Sequence, residues 1–393
     1  MGHRLGPPRT DCERAVSGVG VFAEEQIELR KTVAQLLAKR ADAAALRKTL
    51  ESGEAFDRGL WDVLCQQVGV AALAIPEEFG GFGATLVEQH LVLEELGAAL
   101  TPSPMFGSAV LAAQAILATG NDEACERLLP GIAEGSSIAA LCWVGPEGHW
   151  RSDDVACTAA GSDADGYTVS GTAHYVLDGA HADVLIVAAA VEGSDGVIGL
   201  FEVDPAAGGV ARRQLPTMDL TRPMSLVEFD SAPAVRLTAD DATAALEKVR
   251  TIAIVALSAE QVGAAERCMQ MTVDYSKDRV QFGRAIGSFQ ALKHRMADLY
   301  FLVETARSAS YAAVHSLSEG LPTAAADALV AKAYCSEAFL AVTGDAIQLH
   351  GGIAITWEHD AHLFFKRAHG SAQLLGQPEE FFKEMETLAG LPA

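Results

Sequence analysis

The sequence predicts an α+β protein laid out as helices, then strands, then helices again. Three observations carry this reading. A helical texture rich in Ala, Leu and Glu runs from Glu24 to about Glu134. Short Val-, Ile- and Thr-rich runs punctuated by Asp-Gly and Gly follow between Ile138 and Val235. From Asp240 the helical texture returns and persists to the end. The expected parts are an N-terminal extension over 1–23, an N-terminal α-helical domain over 24–135, a middle β domain over 136–238 and a C-terminal four-helix bundle domain over 239–393.

In the first part the helical pattern breaks at Pro76, at Gly80-Gly81 and at Thr101-Pro102-Ser103-Pro104. Leu86 to Leu96 reads as an amphipathic helix, with Glu94 and Glu95 as a solvated carboxylate pair near its end and Gly97 as its C-cap. In the second, Asp165-Gly166, Tyr167 to Ser170 and Asp183 to Val187 mark the turns and strands of an all-β unit that no long helix interrupts. In the third, Asp240 to Val280 contains neither Pro nor a Gly pair and reads as one long helix. Phe289 to Ser318, Thr323 to His350 and His359 to Leu375 supply three more, with the short connections of an antiparallel bundle.

Composition narrows the function classes. With 393 residues, half of them apolar, the chain is long enough for two or three cooperating domains around a large core. Lys and Arg number 29 against 52 Asp and Glu, and the resulting net charge of -23 repels phosphate backbones and anionic lipid. Nucleic acid and membrane surfaces are therefore not expected as partners. An anionic cofactor is still accommodated where a few Arg side chains and helix N-termini are focused. The seven Cys are scattered without a Cys-x-x-Cys pair, which argues against a disulfide framework or a zinc site and for inert core thiols. Met1 to Gly20 lacks an apolar signal segment, and no apolar run approaches the roughly 20 residues that span a bilayer. Cytoplasmic residence is the expectation.

Three segments attract attention. Pro76-Glu77-Glu78-Phe79-Gly80-Gly81-Phe82-Gly83 is a Gly-rich turn before a helix and lacks the Gly-x-Gly-x-x-Gly spacing of a dinucleotide-binding unit. Arg279 to Gln290, which includes Phe282, Gly283, Arg284 and Phe289, joins the first two bundle helices with cations, aromatics and turn glycines. Gln348-Leu349-His350-Gly351-Gly352 ends another helix and permits close backbone approach. Taken alone, each reads more readily as a helix stop than as a ligand site.

Together and in this order, these segments resemble the acyl-CoA dehydrogenase family from about Leu60 to Glu380. The resemblance is carried by Ile75 to Gly83, Leu93-Glu94-Glu95-Leu96-Gly97, Arg279 to Gln290, Gln348 to Gly352, Trp357-Glu358-His359-Asp360 and His369-Gly370-Ser371-Ala372-Gln373. It implies an FAD-dependent fold with an N-terminal helical domain, a middle β-barrel domain and a C-terminal four-helix bundle. It also implies α,β-desaturation of an acyl-CoA thioester, electron-transfer flavoprotein as acceptor, and dimers paired into a homo- or hetero-tetramer. Relatives sharing Trp357 to Asp360 imply bulky or polycyclic acyl chains. In such members Arg279, Phe282, Gln290, Gln348, Gly351 and Gly352 would grip the FAD of a neighbouring subunit, with Ser371 and Gln373 completing the cofactor-binding set.

The likeness fails where the chemistry sits. Family members take the α-proton with a Glu at one of two places while a hydride leaves for the flavin, and a base must reach that proton to act. Here those places hold His369 and Ala253, and Glu260 is about 10 Å along the helix from Ala253 at 1.5 Å per residue. The flavin-ring contacts are altered too, reading Leu141 to Pro146 and Tyr175-Val176-Leu177. Two readings stay open. In one, His369 is the catalytic base of an active dehydrogenase, since an imidazole accepts a proton. In the other, the chain is a silent partner that completes the FAD site of a Glu-bearing homologue. Trp357 to Asp360 reads as a helix start with Glu358 and Asp360 facing the dipole, and His350 as a helix-end residue.

Overall fold

Helix α1 (Glu24–Arg40) opens on Glu24 and Glu25 and closes on Lys39 and Arg40, the charge order that a helix dipole favours. The structure, a computed structural model, describes residues 22–390. Asp42 and Asp57 cap α2 (Ala43–Ser52) and α3 (Arg58–Val63) by accepting from Ala45 N and Leu60 N. Thr85 and Glu88 form a reciprocal capping box at the start of α4 (Leu86–Ala98). A π-helical stretch, Met105–Ala112, runs into α5 (Ala113–Ala118), and α6 (Asp122–Ala133) completes the N-terminal helices. The Gly-rich turn before α4 is satisfied by its own backbone, with Phe82 N donating to Ala72 O and Gly83 N to Ile75 O.

Helix α4 departs from its expected amphipathic character, because it is buried continuously from Gln89 through Gly97. Gly97 lies inside the helix and is not its C-cap. A Cβ there would overlap the carbonyl of Glu260, and a Cβ on Gly263 would overlap the carbonyl of Glu94. Helix α4 thus crosses the long helix α7 (Thr243–Asp278) backbone against backbone, which only glycine permits.

The middle strands are β1 (Ala139–Cys142), β2 (Cys157–Ser162), β3 (Gly166–Leu177), β4 (Val184–Val191), β5 (Ile198–Val203), β6 (Val210–Gln214) and β7 (Met224–Arg236). Pairing runs β4-β2-β3-β7-β5 and back to β4, so five strands close a ring, with β1 added on β4 and β6 on β7. Closure around Val169, Val187, Phe201 and Val227 forms the expected barrel. Strand β3 is irregular between Ala173 and Val176, and Tyr175 and Asp178 take left-handed backbone angles of φ 54 and 59. Strain therefore gathers at the strand end nearest the helices.

The C-terminal part adds a two-stranded hairpin, β8 (Val280–Gln281) and β9 (Arg284–Ala285), then α8 (Gln290–Ser318), α9 (Ala324–His350), α10 (Ala361–Gln373) and α11 (Pro378–Leu388). Helix α11 is a fifth helix beyond the four expected, and its Phe381 is fully buried. Ala324–Ile355 is long and apolar enough to cross a membrane by length and composition, which corrects the expectation that no such run exists. In the fold its Ala328, Ala331, Cys335, Phe339 and Val342 are interior residues of the bundle. The six described Cys are free and buried, as inert core thiols would be; Cys12 lies outside the described residues.

Candidate functional site

The candidate residues fall into two groups. At one end of the bundle the last turns of α7 and α9 lie together. The Tyr275 hydroxyl donates to the His350 carbonyl at 3.3 Å, and their rings are 4.5 Å apart. Arg279 follows Tyr275 by one turn, and Gln348, Gly351 and Gly352 flank His350, so the starts of the two segments singled out in the sequence lie at the same end of the bundle. The turn of the hairpin, Phe282 and Gly283 at φ 54 and 76, carries the Phe282 ring outward. That ring is 92% exposed, a large cost for an aromatic side chain left alone in water. Behind it the Arg284 guanidinium sits 4.0 Å from the centroid of the Phe289 ring. Arg279, Gln290 and Gln348 are exposed, and Gln290 Nε2 pairs with His294 Nε2 at 2.9 Å. Gly351 takes φ 66, ψ -148, a conformation that side-chain-bearing residues avoid.

His350 is a structural residue of this end, its Nδ1 donating to Ala346 O at 2.7 Å while burial holds its pKa below the usual value. The start of α10 differs from its expected form. Asp360 is held by Arg47, which also donates to the Trp357 carbonyl. The cap is made instead by His359, whose Nδ1 accepts from Ala361 N at 3.1 Å.

His369, Ser371 and Gln373 sit further down the bundle. Gln261 Nε2 donates to Ser336 Oγ at 3.0 Å and to Ser371 Oγ at 3.3 Å. Ser336 precedes Gln348 by twelve residues on α9, about 18 Å along the axis. The Ser371 hydroxyl is buried and donates to Ala368 O at 3.2 Å, while Gln373 is exposed. His369 is half-buried against the Phe365 ring at 4.4 Å. Ala253 is wholly buried in the apolar core.

Beside this group, sequence reasoning missed a charge cluster at the junction of the three parts. Arg222, from the loop before β7, pairs with Glu260 of α7. Arg367 of α10 donates to Asp219 Oδ2 at 3.0 Å, to Thr221 Oγ1 at 2.9 Å and to Thr221 O at 3.0 Å, and reaches Glu260 Oε2 at 3.5 Å. Burial, with Arg222 nearby, lowers the Arg367 pKa. Asp178 lies at the same junction, and burial pushes its carboxyl up to about 7 against the opposing pull of Arg222. A cavity of about 20 Å³ remains between them, lined also by Thr101, Ser103, Phe106 and Leu177. The Tyr175 hydroxyl donates to Pro146 O at 3.0 Å, so the two altered ring-side segments touch each other close by. Of these residues the sequence singles out only Glu260, as a core or flavin-neighbour acid; Asp178, Arg222 and Arg367 carry no motif and are separated by tens of residues.

A second cluster overturns the expectation that Glu94 and Glu95 are solvated. Glu94 is fully buried, bonded by Arg30 Nη2 at 2.9 Å and Tyr311 Oη at 2.8 Å, with Arg307 Nε at 3.5 Å. Glu95 is also buried and pairs with Arg30 Nε at 2.8 Å. The signal that could have revealed this is the apolar flanks of the pair, Leu91-Val92-Leu93 before it and Leu96 to Leu100 after it, which place both carboxylates in an otherwise apolar run.

Sequence and structure comparisons address the family and the fold. Residues 23–136 match the acyl-CoA dehydrogenase N-terminal domain and residues 243–379 the acyl-CoA dehydrogenase C-terminal domain. The chain is 44% identical to acyl-CoA dehydrogenase IpdE2 of Mycolicibacterium smegmatis over 365 residues, covering 93% of this chain and 99% of that one. Among solved structures it resembles the Tcur3481-Tcur3483 steroid ACAD, at a TM-score of 0.82 and 31% identity over 93% of this chain and 98% of that one. It also resembles the ChsE4-ChsE5 complex of Mycobacterium tuberculosis, at a TM-score of 0.85 and 29% identity over 95% and 99% of the two chains. The chain therefore belongs to the acyl-CoA dehydrogenase family, whose members are FAD-dependent oxidoreductases acting on CH-CH groups.

Proposed function

We propose that the chain is a non-catalytic subunit of a heteromeric acyl-CoA dehydrogenase and that its bundle end completes the FAD site of a Glu-bearing homologous subunit. The enzyme so formed would desaturate an acyl-CoA thioester to the 2-enoyl-CoA, with electron-transfer flavoprotein as acceptor. The observation that carries this reading is the absence of a free carboxylate at either base position. His369 packs on Phe365, Ala253 is core, and Glu260 is committed to Arg222 and Arg367.

The two groups differ in how they fit FAD. At the open end, Arg279 and Arg284 supply cations, Phe282 and Phe289 aromatic faces, Gln290 and Gln348 amides, and Gly351-Gly352 a bare backbone beside open space. These groups suit a dinucleotide shared across a subunit boundary, and burying Phe282 there would remove its exposure. At the junction the cavity of about 20 Å³ compares with roughly 300–1,000 Å³ for ligand pockets in general. That side does not fit a flavin ring within this chain. Bound FAD supplies the hydride acceptor. This chain's residues hold and orient its nucleotide portion, while the carboxylate that takes the proton belongs to the partner. Two of the similar structures are two-component complexes by name, Tcur3481-Tcur3483 and ChsE4-ChsE5, which supports a heteromer. The steroid description of the former favours a bulky, polycyclic acyl group.

Flavin content tests the proposal. The purified chain alone is expected to be colourless, and to retain one flavin per pair of chains when co-purified with a Glu-bearing homologue. If the chain alone is yellow and reduces a dye with an acyl-CoA, and His369→Ala abolishes that activity, it is an active dehydrogenase with a His base and the proposal fails.

A further inference from the structure

We propose that the junction cavity between the helical domain, the barrel and the bundle is a binding site for a small oxygen-bearing monoanion, a carboxylate of formate size. The argument stands on the cavity's own chemistry and does not depend on the assignment of this chain as a silent subunit.

The cavity is rich in unused donors. Arg222 is 92% buried at its side chain, judged from an exposure of 8%, and stacks over the Phe106 ring at 5.1 Å. Its Nη2 engages Glu260, yet its Nη1 has no partner among the described residues. The Thr101 hydroxyl is equally buried and equally without a partner. Leaving a buried donor unmade is costly, and more so for a charged group. Two such donors lining one cavity define a place for an acceptor.

The remaining groups fix its charge and size. Facing the space are Arg222, Glu260, Arg367 and Asp178, with Asp219 behind Arg367. The two guanidiniums balance Glu260 and Asp219, so the site is neutral when Asp178 is protonated and carries one negative charge, which repels an anion, when it is ionised. Its carboxyl, held up to about 7 by burial, is protonated below that pH and then presents an O–H donor to the cavity. Gly107 admits this carboxyl, because a Cβ there would overlap Asp178 Oδ2. About 20 Å³ of space accepts one or two water-sized atoms, since each needs roughly 10–15 Å³. A monoanion that placed one or two oxygens here would meet Arg222 Nη1, Thr101 Oγ1 and the Asp178 proton. Binding is thereby linked to protonation of Asp178, tighter below pH 7 and weaker above it.

The same carboxylate chemistry comes from a free anion or from an acyl group that carries a carboxylate, and the test separates these. Thermal unfolding of the full chain is followed against formate at constant ionic strength, at pH 6 and pH 8. The expected result is a saturable rise in Tm at pH 6 that is much smaller at pH 8. Thr101→Val, which keeps the side-chain shape, should weaken formate by about tenfold. Arg222→Gln should abolish the response, and Asp178→Asn should remove its pH dependence. Displacement of formate by succinyl-CoA and not by butyryl-CoA would identify an acyl-borne carboxylate as the source, whereas displacement by neither would identify a free anion. The proposal is overturned if formate leaves the wild-type Tm unchanged at both pH values, or if Thr101→Val responds as the wild type does; the cavity then holds water only.

Discussion

Two buried charge clusters share helix α7, through Glu266 in one and Glu260 in the other, and they are built to opposite specifications. Around Glu94, the guanidiniums of Arg30 and Arg307 and the Tyr311 hydroxyl converge on one carboxylate, and Arg307 also pairs with Glu266 at 2.8 Å. Burial alone would raise the Glu94 pKa, but these partners outweigh it and hold the group at about 2. Around Arg222, by contrast, a donor is left over, the neighbouring Asp178 is shifted towards neutrality, and space remains. The first arrangement spends every hydrogen bond on joining α1, α4 and α8, whereas the second holds some in reserve. Stability and binding are thus separable in this fold by asking whether a buried charge is fully matched.

Substitutions can break this contrast. Removing the carboxylate charge with Glu94→Gln leaves Arg30 with Glu95 alone, and Arg307 with Glu266 and Glu304, as charge partners, and takes away the carboxylate on which Arg30, Arg307 and Tyr311 converge. It should cost about 3–5 kcal/mol, read as a large fall in Tm or in the denaturant midpoint. Because the folded pKa is depressed, the contribution of Glu94 is present above the unfolded value of 4.5 and is lost as pH falls from there through about 2. An unchanged acid limb in Glu94→Gln would show that the cluster is not the stitch described.

The opposite sign is expected for Asp178. Its folded pKa is raised from 3.8 to about 7, so the folded state holds a proton that the unfolded chain has released across that interval. Stability then declines as pH rises from about 4 through 7. Asp178→Asn should be more stable than the wild type at pH 8 by roughly 2–4 kcal/mol and indistinguishable from it below pH 4. A third ion pair sharpens the scale. Arg250 Nη2 meets Glu384 Oε1 at 2.6 Å, but the Glu384 side chain is 40% exposed. Glu384→Gln should therefore shift stability by less than about 1 kcal/mol, with the shift shrinking further in high salt.

The layout of helix, barrel and helix was legible from texture because period and punctuation report local geometry directly. The pairing of Arg279 to Gln290 with Gln348 to Gly352 is an expectation from the family resemblance, and the Tyr275 to His350 contact puts the starts of both segments at one end of the bundle. Neither charge cluster was legible. Glu94 looked solvated because carboxylates usually are, and its partners Arg30, Arg307 and Tyr311 lie on other helices. Asp178 gave no sign at all, since its burial depends on how the end of β3 docks against the cavity walls. The fifth helix, α11, lies beyond the last helical run that the sequence reading names, which ends at Leu375; Pro378 stands at the first turn of this new helix.

The crossing of α4 over α7 also constrains how this sequence can change. Gly97 and Gly263 are already the smallest residues available, so a larger side chain at one position cannot be accommodated by trimming the other. A variant at either site could recover only by moving a whole helix, and α4 carries Glu94 into its cluster while α7 carries Glu260 into the other. Two distant ionic arrangements are therefore held in register by a pair of residues that contribute no side chain to either.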